Sequence, residues 1–387
     1  MTSTAAPADL AGAGPAARSS TWLVPCAVVA MTAILVAAFW DFSWHRSVGR
    51  DTFFTPPHCV LYFGAVLACF TSAFAVLRAT TDVAGVSDGV GVFGLRGPLG
   101  AFVTGWGGVT MLTAGIFDDW WHGAYGLDIL IQSLPHMAIF TGMLGVAGGG
   151  LLLAVSRANT VPERATRARA VIAYMGGVWL TLVLAGFLEQ MFVYLMHGAR
   201  FYCVVALTVP GILSAVSRAS RLPYGASATA LVYTVCTWLA IAVLPSFSTA
   251  PRLGPVFHPV DHFVPPPFPI LVLPPALALD WLRPRLAERS LWVRAGLEGS
   301  AFLLLFAALQ WPFASFLQTP WADNRFFVGN EFAFFQAAGS LPVRRLFYAT
   351  EASALQFWLG LGLSLVLAVV TTSLGIAAGE WLRKLQR

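Results

Sequence analysis

The sequence predicts an all-α integral membrane protein of about ten transmembrane helices, with a duplicated N-terminal helical hairpin and both termini cytoplasmic. Three observations predict it. Hydrophobic residues make up 57% of the 387 positions and charged residues only 11%, at a mean hydropathy of +0.73, whereas a soluble domain carries about a quarter charged residues. Apolar runs of about 20 residues, enough to cross a bilayer core, recur along the chain. The basic residues segregate between alternate connections.

The runs fall near residues 22–40, 59–77, 99–117, 136–156, 170–188, 201–217, 226–244, 267–282, 295–313 and 355–379. The run at 267–282 is the weakest, being short and interrupted by Pro274 and Pro275, and Glu189-Gln190 blurs the end of the fifth. With ten spans, sixteen of the 23 Lys and Arg residues fall in one set of connections, among them Arg78, Arg96, Arg157, Arg218, Arg283 and Arg383. Positive residues accumulate in cytoplasmic loops, so this set is expected inside, in a multi-pass protein of the plasma (inner) membrane. The net charge of +5 then reflects topology, and no nucleic-acid partner is expected.

Residues 1–21 are small, polar and Pro/Gly-bearing without the basic start of a secretory signal, and are expected to be a disordered cytoplasmic tail. Residues 22–156 form the duplicated hairpins and residues 157–387 a C-terminal transmembrane bundle. The five cysteines, Cys26, Cys59, Cys69, Cys203 and Cys236, lie in or beside spans without CxxC spacing, as small core hydrophobes do. Glycine patterns that cradle phosphates are lacking in the cytoplasmic loops, which leaves ATP-driven transport unsupported.

With this topology all seven histidines, His45, His58, His122, His136, His197, His258 and His262, lie at or beyond the external helix ends. An isolated interfacial histidine is ordinarily an anchor or a satisfied polar group. Two external connections break that rule because they repeat one another, matching Asp41/Asp118, Trp44/Trp121, His45/His122, Gly49/Gly126, Asp51/Asp128, Pro57/Pro135 and His58/His136 with one inserted residue. Each returning helix also carries a glycine six residues after its histidine, Gly64 and Gly142.

An Asp and a His four residues apart share one helix face, so Asp41/His45 and Asp118/His122 can each address one atom from an outgoing helix end. Thr55-Pro56-Pro57-His58 and Ser133-Leu134-Pro135-His136 suit a hydroxyl N-cap with proline in the first turn, which places the third ligand in a rigid turn. Two imidazoles and a carboxylate leave coordination positions open and suit copper, non-haem iron or zinc. Asp51 and Asp128 are placed to support the ligand imidazoles, and Asp119 can replace Asp118. A polar helix end in an aromatic belt formed by Trp40, Trp44, Trp120 and Trp121 explains the residue types but not the repeated spacing.

Asp41-x3-His45-x12-His58, with Arg50-Asp51-Thr52 and Phe54-Thr55-Pro56 inside it, resembles the Asp/His/His copper site in one integral-membrane subunit of the copper membrane monooxygenases, which include the particulate methane and ammonia monooxygenases. Asp118-x3-His122-x13-His136 is similar to the neighbouring Asn/His/His copper site of the same subunit, with aspartate where the family has asparagine. The resemblance covers roughly residues 22–156. It implies copper, a small apolar substrate or ammonia oxidised with O2, catalytic roles for Asp41, His45, His58, Asp118, His122 and His136, other monooxygenase subunits as partners, and a quinol as electron donor. The alternatives are a metal carrier or transporter and a haem electron-transfer protein, for which the carboxylate of each motif has no role.

Three further features lie outside these motifs. His258-Pro-Val-Asp261-His262, in the Pro-rich loop 245–268, offers a possible third ligand pair, although Pro259 weakens a helix there. Glu189 and His197 are candidates for a proton relay or extra ligands, with snorkelling interfacial groups the expected alternative. The aromatic segment 319–353 is expected to be a lid, a reentrant segment or a partner contact.

Overall fold

The computed structural model describes residues 22–81, 89–126, 133–160, 165–337 and 351–386. Among the described residues ten α-helices follow one another: α1 (Leu23–Ser47), α2 (Pro56–Thr81), α3 (Leu99–Tyr125), α4 (Leu134–Thr160), α5 (Ala165–Ala185), α6 (Ala199–Ser220), α7 (Gly225–Val243), α8 (Leu273–Arg285), α9 (Leu291–Leu317) and α10 (Ala354–Leu382). Nine of them, all but α8, are long and apolar enough to cross a membrane. The chain is a mostly helical, multi-pass membrane protein. Lipid leaves backbone amides no partner but each other, which is why helices carry these crossings. The tail 1–21 lies outside the described residues.

The expected span at 267–282 takes another form. Pro265, Pro266, Pro267 and Pro269 cannot donate to a helix, so the chain stays extended until Leu273, and α8 has only 13 residues, about 20 Å against a bilayer core of about 30 Å. The extended stretch and α8 nevertheless run from one end of the bundle to the other. At one end Ser43 Oγ donates to the Val264 carbonyl (2.7 Å), and Arg46 Nη1 to that of Pro265 (2.9 Å). At the other, Asp280 of α8 accepts the N–H groups of Ala226 (3.1 Å) and Ser227 (2.8 Å) at the start of α7. Between them Ile270 N–H donates to Tyr233 Oη (3.1 Å) and Leu271 N–H to Gln310 Oε1 (2.9 Å). Side chains thus replace the missing helical bonds, as irregular backbone at membrane depth requires.

The contacts sort the molecule into two ends. All seven histidines lie at the end where α1 closes and α2 opens, with the segments 187–199, 247–265 and 318–337. Arg96, Arg218, Arg221, Arg283, Arg294 and Arg383 lie at the other, where Arg218 meets Glu298 (2.8 Å) in a buried pair and Asn159 donates to the carbonyls of Leu382 and Leu385. The expectation of an all-α chain gains one exception there, an antiparallel hairpin of β1 (Val90–Val92) and β2 (Leu95–Gly97). Its turn residues Phe93 and Gly94 both have positive φ, the conformation of a two-residue hairpin turn.

Close glycine contacts set the helix pairs that carry the motifs. A Cβ on Gly64 of α2 would meet Ile34 Cγ1 at 2.7 Å and the Ala30 carbonyl at 2.9 Å; on Gly142 of α4 it would meet Met111 Cγ at 2.6 Å and the Gly107 carbonyl at 2.7 Å. Ala30 and Gly107 stand eleven residues before Asp41 and Asp118, and Ile34 and Met111 seven before. Small residues let membrane helices approach to backbone contact, and here they fix how far each returning histidine lies from its Asp/His pair.

Candidate metal centre

α1 does not stop where its apolar run ends; it continues to Ser47, so Asp41 and His45 project from its last turns while His58 sits in the first turn of α2. His58 Nε2 lies 3.1 Å from Asp41 Oδ1 and 3.7 Å from Asp51 Oδ2, and His45 Nε2 lies 3.7 Å from Asp41 Oδ2 and 3.7 Å from Asp51 Oδ2. Asp51 therefore stands among the expected ligands of this first cluster rather than behind them. Thr55 was expected to cap α2 with its hydroxyl; instead Oγ1 turns back to accept the Thr52 N–H (2.7 Å). That turn presents the Thr52 carbonyl to His58 Nδ1 at 3.0 Å.

In the second cluster Asp118 Oδ2 lies 3.5 Å from His122 Nε2 and Oδ1 lies 3.5 Å from His136 Nε2. Here Ser133 does cap its helix, Oγ accepting the His136 N–H at 3.3 Å. Asp118 is 8% exposed and turns inward, whereas Asp119 is exposed, which separates the two candidate carboxylates. Among the described residues this is the one group in which three donor atoms all lie within 4.8 Å of one another. The first cluster makes pairwise approaches without meeting that mutual closeness. Asp128 lies outside the described residues.

The ring orientations bear on what these atoms can hold. A carbonyl only accepts, so His58 Nδ1 donates to Thr52 O and His122 Nδ1 donates to Gly126 O (3.3 Å). Each neutral ring then turns a lone pair on Nε2 toward a carboxylate, an arrangement that calls for a cation between them, either a proton or a metal. Nδ1–H bound to a backbone carbonyl is the outer bond by which metal-ligating histidines are held. Asp118 Oδ1 is buried and accepts no hydrogen bond, whereas Asp41 Oδ1 meets His58 Nε2 at 3.1 Å. Buried carboxylate oxygens without a donor are costly, so the residues present fit a metal ion.

Six other residues singled out in the sequence go elsewhere. His197 is not a snorkelling group: it is 1% exposed, packs edge-on against Trp311 (4.4 Å) and approaches the Trp311 carbonyl (3.1 Å) and Ser315 Oγ (3.3 Å) through Nε2. Burial pulls its pKa down to about 4, the hydrogen bond to Trp311 offsetting only part of this. His258 stacks on Phe332 (5.5 Å), while His262 sits between Asp261 (2.6 Å) and Glu331 (3.0 Å), so the two histidines of that loop do not form a pair. Glu189 is half-buried and acts electrostatically on Tyr194. Cys59, expected in a core, is exposed beside His58.

Residues passed over in the sequence complete the surroundings. Arg46 is buried between the rings of Phe42 and Phe192 (5.4 Å each), donates to the carbonyls of Pro265 and Glu331, and lends its own carbonyl to Phe334 N–H (3.1 Å). It thereby fastens segments 263–265 and 331–334 to the end of α1; of the segment 319–353, residues 338–350 lie outside the described residues. Tyr62, one turn after His58, is the other omission, and its four-residue spacing was a usable signal.

Comparison of the chain with protein-family models, with characterised proteins and with solved structures finds no match.

Proposed function

We propose that this protein is a copper-binding component of a membrane monooxygenase, with a metal ion held by Asp118, His122 and His136 and a second ion held by Asp41, His45 and His58. The mutual closeness of the three donors in the second cluster carries this proposal. The ring orientations, the buried Asp118 oxygen and the spacing shared with the copper membrane monooxygenases support it further. Copper bound there supplies the one-electron chemistry by which dioxygen is activated toward a small apolar substrate or ammonia. The chain's residues do the rest: Asp118 contributes an anionic oxygen, the carbonyl of Gly126 holds the His122 ring, and the Ser133 cap fixes the turn that carries His136.

Both motifs arise from one duplicated hairpin in this proposal, supported by the equal registers of the Gly64 and Gly142 contacts. The arginine-rich end faces the cytoplasm by the positive-inside rule, which puts both termini inside the plasma membrane and both clusters outside. Residues 22–156 are the metal-binding unit and 157–387 the supporting bundle. Other monooxygenase subunits and a quinol electron donor are the partners this function needs, with the bilayer as solvent. A transporter would need free charge along its path, and Glu298 and Asp280 are committed to Arg218 and to the start of α7.

The test is metal analysis with electron paramagnetic resonance on the purified full chain in a His45→Ala/His58→Ala background. Copper near one per chain, lost on His122→Ala, is the expected result. A metal content unchanged by His122→Ala overturns the second site.

A further inference from the structure

Tyr62 stands between the two clusters and belongs to neither sequence motif. It follows His58 by four residues on α2, so both side chains leave one helix face, with their ring centroids 6.2 Å apart. Phe53, from the first motif's own loop, packs against the ring on another side at 4.9 Å. The phenol reaches across to α3. A Cβ placed on Gly115 would meet Tyr62 Cε1 at 2.9 Å and its hydroxyl oxygen at 3.1 Å, so the absence of a side chain at Gly115 is what admits the ring. Gly115 lies three residues before Asp118, on the same face of α3.

The hydroxyl thus arrives beside the second cluster from the helix that carries the first. Burial acts on it together with the neighbouring carboxylates of Asp118, Asp119 and Asp41. Among the described residues the phenol makes no hydrogen bond to protein, although the ring is half-buried. A phenolic O–H so placed keeps a proton to donate, and the Asp118/His122/His136 set leaves coordination positions open for a ligand from outside.

We propose that Tyr62 is a positioning residue of the second cluster, whose O–H donates a hydrogen bond to a small anionic or oxygen-donor ligand at the open position of the ion held there. The proposal rests on metal binding by that cluster and adds a residue to it. Hydrogen bonds to charged groups are stronger than neutral ones, so loss of this donor should weaken an anion by roughly tenfold. The ion itself should be held as before, because Tyr62 is not among its ligands.

Azide is the probe, titrated into the Cu(II)-loaded full chain in the His45→Ala/His58→Ala background and followed by its ligand-to-metal absorption. Tyr62→Phe removes one oxygen and keeps the Phe53 packing. Expected are unchanged copper content and azide affinity lower by roughly tenfold, with the same loss in Gly115→Ala, which displaces the phenol without removing it. Equal azide affinity in Tyr62→Phe and its parent, with copper bound in both, overturns the role of Tyr62 and leaves the metal site standing. Failure of the parent to bind copper at all overturns the metal site, and this inference with it.

Discussion

The two clusters share a spacing and differ in their surroundings. The first has two imidazoles and two carboxylates, Asp41 and Asp51, linked by approaches of 3.1–3.7 Å, and it lies at the end of a helix to which Arg46 fastens two distant segments. The second has one carboxylate and two imidazoles, drawn within 4.8 Å of one another, beside the exposed apolar side chains of Ile116, Trp120, Leu134 and Met137. A shared motif therefore does not make a shared site. The extra residue before His136 and the tight α3–α4 contact set how closely the donors of the second cluster meet.

The largest expected effect separates the clusters by occupancy. At one copper per chain, His122→Ala/His136→Ala should lose nearly all bound metal, whereas His45→Ala/His58→Ala should retain it, as read by metal analysis after dialysis. The reverse order would break the comparison and make the first cluster the tighter site.

A methyl group at the glycine contacts should expose the same inequality in the scaffold. Each new carbon meets one side chain and one carbonyl, but Gly142→Ala also meets the Met111 backbone nitrogen at 2.9 Å, where Gly64→Ala meets only the end of the Ile34 side chain at 3.3 Å. Overpacking of this kind costs about 1–3 kcal/mol, so thermal unfolding in detergent should show the larger loss for Gly142→Ala. A smaller loss there than at Gly64 would place the rigid pair elsewhere.

Replacing single carboxylates sharpens the contrast further. Asp118→Asn leaves its cluster without an anionic ligand, and retention at the second site should fall by roughly tenfold, the lower end of losses seen when support for a metal site is removed. Asp41→Asn should cost less at the first site, because Asp51 Oδ2 lies 3.7 Å from both His45 and His58. Competition with a chelator in each single-cluster background measures both.

The smallest effect concerns the segments fastened to the end of α1. Burial pulls the His262 pKa down, but hydrogen bonds to Asp261 and Glu331 and the charges of both carboxylates outweigh it, and the folded value lies above the ordinary one near 6.5. The stabilisation is therefore fully present below about pH 6.5, the ordinary histidine value, and is lost as pH rises through the raised folded value. Proteolysis of segment 318–337 should increase as pH rises through that range, and His262→Gln should flatten the dependence. An equal rise in His262→Gln would remove the histidine from the latch.

Much of the N-terminal half was legible because its information is local. Long apolar runs mark α1 to α4, and the i, i+4 spacing alone places Asp41/His45 and Asp118/His122 on single faces. What escaped depended on distant residues or on competing local bonds. Glu331 reaches His262 across 69 positions, which no periodicity announces. Asp51 looked like a supporting group because spacing says nothing about how a loop folds back. The stretch 264–285 shows in the sequence only as a weak run, since prolines that destroy the helical signal leave no sign of the side chains that replace it.

Those replacements carry a consequence for biosynthesis. A chain threaded through the translocon is released into lipid one hydrophobic helix at a time, yet residues 264–272 have no helical state to be released in. The amides of Val264 and Ile270 are completed by Ser47 and Tyr233, already synthesised, and that of Leu271 by Gln310, which leaves the ribosome 39 residues later. The Leu271 amide therefore has this partner only once α9 has been made, so the extended stretch completes its bonding after the helices before it.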